Sequence, residues 1–253
     1  MSHIQHRAYS SPDALIPAEA LHLRAAEDRG HADHGWLKSA HSFSFSSYYD
    51  PDHMNFEALR VINDDRVAGG GGFPMHPHQD FEIFSYVLEG AIAHKDSLGN
   101  GSTVSAGGVQ YMTTGRGVQH SEYNPHADQD LRFLQIWLMP KVRGADPRYD
   151  QIDLSPQEKD GQLKLFISED GREGSIPTLA PADIYAGTFD GAQQAEFTFR
   201  RNRKGWVQIA RGSIKVNGVH LKEGDGLAIT APGQIHIEEG QKAELLLFDL
   251  ATL

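Results

Sequence analysis

The sequence predicts an all-β protein made of two stacked jelly-roll barrels. Three observations support this fold class: many short strand-like segments, turn residues between them, and little helical periodicity. The segments are rich in β-branched and aromatic residues, and Gly, Asn, Asp and Pro separate them. Turn pairs such as Asn217-Gly218 supply the positive φ angles that tight hairpins require. This density of short strands is typical of barrels and sandwiches.

The predicted strands fall on both sides of a polar stretch near the middle of the chain. They are residues 42–49, 59–62, 83–88, 91–94, 109–112 and 131–138 before it, and 164–167, 197–200, 206–210, 213–216, 226–229 and 243–250 after it. Weak helical periodicity marks 18–28 and 156–160 as short helices. Strand 131–138 ends at Met139-Pro140 before a polar segment. We therefore predict an extension, 1–20, an N-terminal barrel, 21–145, and a C-terminal barrel, 146–253.

Composition excludes several classes of function. The chain has 34 acidic and 23 basic residues and a formal net charge of −11, which opposes direct binding to nucleic acid. Its dense basic cluster, 200–204, lacks the interleaved aromatic residues of a nucleic-acid site. The absence of cysteine excludes disulfides, thiolate-bound metals and thiol catalysis.

No apolar run reaches membrane-spanning length, and the first residues have no hydrophobic signal core. We therefore expect a cytoplasmic protein without membrane contact. We also expect a monomer, and no segment of the sequence identifies a protein partner.

Histidines and one carboxylate form two motifs that predict a metal site. Twelve of the 14 histidines lie at or before His126, so a polar site is expected in the first half. His76 and His78 are separated by one residue, which places both imidazoles on one face of an extended strand. His120 and Glu122 have the same spacing. If the barrel brings the pairs together, they offer three nitrogens and one oxygen to an ion.

This donor set suits iron, manganese, cobalt, nickel, copper or zinc and leaves two positions open on an octahedral ion. Glu82 follows His78 by four residues, so it could either reach the ion or hydrogen-bond a ligand histidine. Phe43, Met75 and Phe81 are candidates for an apolar wall of a substrate pocket. The spacing of these residues therefore determines neither which metal ion binds nor whether Glu82 is one of its ligands.

The two motifs resemble those of the cupin superfamily, and the amino-acid sequence resembles the pirin family over about residues 21 to 253. The supporting motifs include Arg29-Gly30-His31, His34-Gly35-Trp36, Tyr48-Tyr49-Asp50-Pro51 and Ser85-Tyr86-Val87-Leu88-Glu89-Gly90. The resemblance implies a bicupin whose N-terminal barrel holds iron, Fe(II), through the residues that match His76, His78, His120 and Glu122. It favours Glu122 over Glu82 as the carboxylate ligand. It also implies a C-terminal barrel without metal, in line with the lack of a His-x-His motif there.

Similarity to bacterial pirins implies a quercetin 2,3-dioxygenase activity on flavonol-type substrates. In that reaction the substrate's 3-hydroxyl and 4-carbonyl would take the open positions on the ion, and Glu122 would accept the hydroxyl proton. The electron-rich flavonolate would then react with O2, and carbon monoxide would be released.

Two other functions are compatible with the same site. Animal pirin is a redox-responsive transcriptional cofactor, which implies an iron-containing binding protein without turnover. In this chain, Gln79-Asp80 stand where animal pirins have an Arg-Gly pair, so an acid replaces a cation beside the site. The third function is that of a cupin isomerase, which would polarise a sugar carbonyl without using oxygen.

Overall fold

A computed structural model describes residues 14–252, and these residues form a nearly all-β structure with one short α-helix. The strands of the N-terminal half are β1 (Leu21–Arg24), β2 (Gly30–Asp33), β3 (Leu37–His41), β4 (Leu59–Val67), β5 (Gly72–His78), β6 (Glu82–Glu89), β7 (Ala91–Asp96), β8 (Gly101–Ser105), β9 (Gly108–Thr113), β10 (Val118–Tyr123) and β11 (Leu131–Leu138). Those that follow are β12 (Arg148–Asp153), β13 (Lys164–Ser168), β14 (Ile176–Pro177), β15 (Ala182–Phe189), β16 (Ala195–Phe199), β17 (Arg203–Val216), β18 (Val219–Lys222), β19 (Gly226–Ile229) and β20 (Gly233–Ala251). The all-β prediction is confirmed.

Two sheets form the N-terminal half. The larger has seven strands in the order β12-β9-β6-β11-β4-β3-β2, and the smaller has four in the order β5-β10-β7-β8. Strands β6 and β9 of the larger sheet are buried along almost their whole length, whereas β10 of the smaller sheet alternates buried and more exposed residues. The inward face of the four-stranded sheet therefore presents its alternate side chains to the interior of this half.

The C-terminal half is built on a nine-stranded sheet with the order β1-β19-β17-β20-β15-β13-β14, to which β16 and β18 are attached. Its interior is filled by aliphatic and aromatic side chains, including Phe189, Phe199, Val207 and Leu245. A core filled in this way holds no cluster of metal-ligating side chains among the described residues.

One hydrophobic core runs through both halves. Phe43 is 2% exposed, and its ring lies 4.9 Å from that of Trp206 in the C-terminal half. Phe84 meets Phe166 in the same way, with ring centroids 6.0 Å apart. A buried ionic cluster also joins the halves, because Lys159 binds both Glu244 (2.7 Å) and the hydroxyl of Tyr86 (2.8 Å).

Two strands pair with strands from the other side of the predicted division near residue 145. Strand β1 pairs with β19 of the C-terminal half, and β12 pairs with β9 of the N-terminal half. Of the predicted extension, 1–13 lie outside the described residues, whereas Ile16 is buried and its N–H donates to the carbonyl of Gln234. The proposed domain bounds stay a prediction.

Two local predictions are wrong. Residues 18–28 form no helix: two 3-10 turns, Ala18–Ala20 and Ala26–Asp28, flank β1, because pairing with β19 holds that segment extended. Residues 42–49 form a turn with Ser46 at φ 52° rather than a strand. Polar side chains stabilise this turn, since the Ser44 hydroxyl accepts from the backbone N–H of Asp50.

The predicted helical turn at 156–160 is present as α1 (Pro156–Lys159). Ser155 and Glu158 close its N-terminus as a capping box, and proline occupies its first position. Among the described residues, no helix is both long and apolar enough to cross a membrane.

Candidate functional site

The two predicted histidine motifs lie on neighbouring strands of the four-stranded sheet. Strands β5 and β10 are antiparallel, and His76 stands directly opposite His120. His78 stands opposite Val118, two residues along each strand from the His76–His120 pair. Because side chains two residues apart on a strand point to the same face, all three imidazoles lie on one face of the sheet. Strand β5 is an edge strand, which is where the prolines at 74 and 77 are tolerated despite their missing N–H groups.

The three imidazoles form a tight group, which we call the three-histidine cluster (His76, His78 and His120). Their ring centroids are 4.5 to 4.9 Å apart, and one nitrogen of each lies within 4.8 Å of the other two. The Nε2 atoms of His76 and His120 are 3.0 Å apart. Two nitrogens that each lie about 2.1 Å from one ion, at a right angle, would have this separation, about 3.0 Å.

Hydrogen bonding and burial prepare these nitrogens for a cation. The Nδ1 of His76 donates to the carbonyl of Pro74 (2.8 Å), which leaves the lone pair on Nε2. Burial, together with the neighbouring His76, lowers the pKa of His78 to about 4 and that of His120 to about 2. The imidazoles of His78 and His120 are therefore neutral at neutral pH, as metal binding requires.

Glu122 lies beside the cluster, after a bulge in the pairing of β5 with β10. Its side chain is 1% exposed, and Gln110 donates a hydrogen bond to Oε1, whereas Oε2 has no partner. Burial, and next the carboxylate of Asp65, raise the pKa of Glu122 to about 7. A buried carboxylate oxygen without a donor fits a nearby cation, so the residues present are compatible with a divalent ion.

Glu122 does not form one group with all three histidines in which every ligand atom lies within 4.8 Å of the others. It forms such a group with His120 and His94. The role of Glu122 as fourth ligand stays a prediction.

Glu82 lies elsewhere and does not hydrogen-bond a ligand histidine. It belongs to β6 of the seven-stranded sheet, where it pairs with Thr113. Its Oε2 accepts from Tyr111 and from Thr113 (2.9 Å), while Oε1 has no partner. Because Tyr111 also bonds Thr178 of the C-terminal half, Glu82 is part of the contact between the halves.

Of the three predicted wall residues, the structure brings one to the site. Phe81 packs on Trp137 at 5.1 Å, and Trp137 stands edge-on to the ring of His78 at 4.8 Å. Phe43 does not line the site, because it is buried against the C-terminal half. Met75 is 52% exposed beside the bulge, and its contact with a substrate stays a prediction.

Sequence reasoning missed Trp137, Phe45 and His94. Phe45 meets Trp137 edge-on at 5.5 Å, which extends the aromatic wall beside His78. Trp137 and His94 both lie in segments predicted as strands, and alternation alone would have given their faces. Which sheet lies opposite those faces depends on the strand order, which short-range patterns do not contain.

Comparison with known proteins places this geometry in a family. The family model described as "Pirin" matches residues 22–138, and the model described as "Quercetinase C-terminal cupin domain" matches residues 165–250. "Quercetin 2,3-dioxygenase" of Escherichia coli (strain K12) is 44% identical over 230 residues, which are 91% of this chain and 98% of that protein. A "Pirin-like protein" of Caulobacter vibrioides is 40% identical and covers 88% of this chain and 96% of its own length.

Solved structures agree with the sequence comparisons. The crystal structure of YhhW from Escherichia coli superposes with a TM-score of 0.89 at 43% identity, over 92% of this chain and 98% of that one. The same bacterial pirin in complex with nickel(II) gives a TM-score of 0.88 at 43% identity, over 92% and 100%. The predicted two-barrel cupin architecture is confirmed.

Proposed function

The chain belongs to the pirin family, and we propose that it is a metal-dependent dioxygenase that cleaves flavonol-type compounds with O2 and releases carbon monoxide. The observation that carries this proposal is the three-histidine cluster, whose imidazoles converge beside a buried carboxylate. The name of the Escherichia coli relative supports the substrate class. The nickel complex of the bacterial pirin supports a divalent first-row ion, and we favour iron(II) as the native metal.

His76, His78 and His120 would hold the ion, and Glu122 would supply the carboxylate. When bound, the ion acts as a Lewis acid that lowers the pKa of a substrate hydroxyl and stabilises its anion. The hydrogen bond from His76 to Pro74 keeps the ligand nitrogen of that residue unprotonated. The protein therefore needs no proton rearrangement at His76 before metal binding.

Glu122 is the group that we assign to proton transfer. Its Oε2 has no hydrogen-bond partner and is therefore able to accept a proton from a substrate hydroxyl. Gln110 holds the other oxygen and so fixes the orientation of the carboxylate. The substrate hydroxyl would pass its proton to Oε2.

The aromatic wall of Phe45, Phe81 and Trp137 would position the substrate. These rings lie beside His78, and flat aromatic surfaces pack well against planar polycyclic ligands. Trp137, which contacts His78, would also shield that imidazole from water. The proposal therefore assigns substrate orientation to this wall and proton transfer to Glu122.

Quercetin consumption tests the proposal. The iron-loaded protein is incubated with quercetin in air and under argon while the flavonol absorbance is followed. We expect oxygen-dependent loss of absorbance with the wild-type protein and with the control His220→Ala, an exposed histidine remote from the cluster in sequence. Carbon monoxide in the headspace would identify the reaction type.

The variant His120→Ala removes one nitrogen of the cluster and is expected to lose activity by at least about 100-fold. Equal quercetin loss in His120→Ala and His220→Ala, or loss that persists under argon, would contradict the proposal.

A further inference from the structure

The C-terminal half repeats the strand arrangement that carries the three-histidine cluster. In the N-terminal half, three residues separate the end of β5 from the start of β6, and β5 pairs with β10. In the C-terminal half, three residues separate β16 from β17, and β16 pairs with the first part of β20. The pair Phe197 and Phe199 therefore takes the place of the His-x-His motif. Ile235 stands opposite Phe197, where the N-terminal half has its third histidine.

These apolar side chains cannot bind a metal ion, but a cavity of about 500 Å³ lies beside them. Its lining consists of the rings of Tyr185 and Phe197, Thr198, three arginines and three aspartates. The two rings are half-buried and stand edge-to-face, with centroids 5.0 Å apart. Pockets that bind small molecules measure about 300–1,000 Å³ and combine apolar walls with a few polar groups. The cavity therefore has the size and the lining of a small-molecule site.

Two of the three arginines are held by the aspartates. Asp183 and Asp249 stand opposite each other on β15 and β20. Arg203 donates through Nε to Asp249 (2.6 Å), and Arg172 donates to both oxygens of Asp183 (3.2 and 2.8 Å). Arg172 also donates to Asp170 (3.0 Å). These two arginines thus pair with all three aspartates.

Arg200 is the third arginine of the cavity, and its side chain is differently placed. It is exposed, and its guanidinium makes no hydrogen bond or ion pair with any residue that the structure describes. The formal charges of the lining balance, with three positive and three negative groups. Because the other two arginines already pair with the aspartates, Arg200 is the cation left to bind a ligand. A ligand with one negative charge fits this lining, whereas the nearby carboxylates would repel a dianion more strongly.

We propose that this cavity of the C-terminal half binds a small aromatic carboxylate, with its ring against Tyr185 and Phe197 and its carboxylate on Arg200. Aromatic side chains pack favourably on a planar ring, and a guanidinium can donate two parallel hydrogen bonds to a carboxylate. The half without the histidine cluster then has a binding function of its own. The proposal does not depend on flavonol cleavage, because this binding needs neither the metal ion nor turnover.

Fluorine NMR with 4-fluorobenzoate tests the proposal without any activity measurement. The probe is titrated with the zinc-loaded full-length protein, and 4-fluorobenzamide, which has the same ring without the charge, is the reference ligand. We expect saturable binding of 4-fluorobenzoate, about threefold or more tighter than that of the amide and weakened by added salt. Equal affinity for the two compounds, or no saturable binding of the benzoate at millimolar concentration, would overturn the proposal.

Variants locate the binding in the C-terminal half. Arg200→Ala and Phe197→Leu are each expected to weaken 4-fluorobenzoate binding by about threefold or more. Arg143→Ala is the matched control, since Arg143 is an exposed arginine that does not line the cavity. Any coordination of the probe to an ion in the N-terminal half is common to all these proteins and cannot produce the difference. Unchanged affinity in either Arg200→Ala or Phe197→Leu, relative to Arg143→Ala, would contradict the proposal.

Folding of the variants is checked by circular dichroism and thermal unfolding. Arg200 is exposed, so Arg200→Ala is expected to fold, and Phe197→Met replaces Phe197→Leu under the same criteria if the latter does not. Crystals of the wild-type protein grown with 4-bromobenzoate give a second measurement at the bromine absorption edge. A bromine peak beside Tyr185 and Phe197 supports the proposal, and bromine bound only elsewhere contradicts it.

Discussion

Burial controls the chemistry of the individual side chains in the N-terminal half. It lowers the pKa of His78 and His120 and raises that of Glu122, so the metal-free protein has these two imidazoles neutral beside a partly protonated carboxyl at neutral pH. A bound cation reverses the effect on Glu122, because its charge stabilises the carboxylate. The same residues are therefore suited to metal binding and to proton transfer.

Glu122→Gln is expected to change the pH dependence of stability of the metal-free protein. The folded pKa of Glu122 is about 7, against 4.5 for the ordinary group, so the folded chain holds a proton that the unfolded chain has lost between these values. Stability therefore falls as the pH rises from about 4.5 to about 7, by up to about 3 kcal/mol. Glutamine does not titrate and lacks this contribution.

Urea denaturation of both proteins at a series of pH values measures the difference. His78 and His120, whose pKa values are lowered, contribute with the opposite sign in both proteins and cancel in the comparison. A difference between wild type and Glu122→Gln that stays constant from pH 4.5 to 7 would show that the carboxyl is not buried as described.

The ligand candidates could be predicted from sequence because the signal is local. Alternation on a strand places His76 with His78 and His120 with Glu122, and no knowledge of strand order is needed. Contacts between strands that are distant in sequence cannot be predicted from such local patterns. Trp137 meets His78, and Glu82 meets Tyr111, only because of the order in which the sheets are assembled.

At the scale of elements, the approach of β5 to β10 sets the geometry of the three-histidine cluster. Gly72 begins β5 beside the bulge, and a Cβ at this position would overlap the backbone of Glu122 and lie 2.6 Å from the Cα of Tyr123. The missing side chain allows the two strands to come close just where the ligands lie.

Gly72→Ala is expected to separate β5 from β10, to destabilise the protein by about 1–3 kcal/mol and to weaken cobalt binding. Gly101→Ala is the matched control, since the nearest atom to a Cβ there is 3.9 Å away and the residue lies on β8 of the same sheet. Thermal unfolding and cobalt titration are measured for both. Equal behaviour of the two variants would refute this role of Gly72.

Most strands could be predicted because their β-branched and aromatic runs are bounded by turn residues. The errors occur where tertiary contacts override local preference. In segment 18–28, residues 21–24 are extended because β19 offers them a hydrogen-bonding edge, and 42–49 turns because the Ser44 hydroxyl bonds the backbone of Asp50. The polar strand β12 lacks the apolar signal of a strand, so the sequence does not predict it.

At the scale of the whole molecule, the shared core makes the two halves one folding unit. Trp206 is 2% exposed and contacts Phe43 and Phe56 of the N-terminal half. The buried cluster of Tyr86, Lys159 and Glu244 adds polar contacts across the same boundary. We therefore expect both halves to unfold in one transition, although only the N-terminal half carries the histidine cluster.

Trp206→Ala is expected to destabilise the protein by about 3–5 kcal/mol, because it opens a cavity at the centre of the shared core. The metal content of the folded variant should be unchanged, since Trp206 does not contact the three-histidine cluster. Urea denaturation followed by fluorescence and by circular dichroism measures both effects. Two separate transitions in the wild-type protein would contradict a shared core.

The central claim is that His76, His78 and His120 bind one divalent metal ion. Anomalous diffraction from crystals of the metal-loaded wild-type protein tests it most directly. The account predicts one strong peak at about 2.0–2.2 Å from a nitrogen of each of the three histidines. Crystals grown with the metal that lack this peak, while ions are bound at other surface groups, would contradict the account.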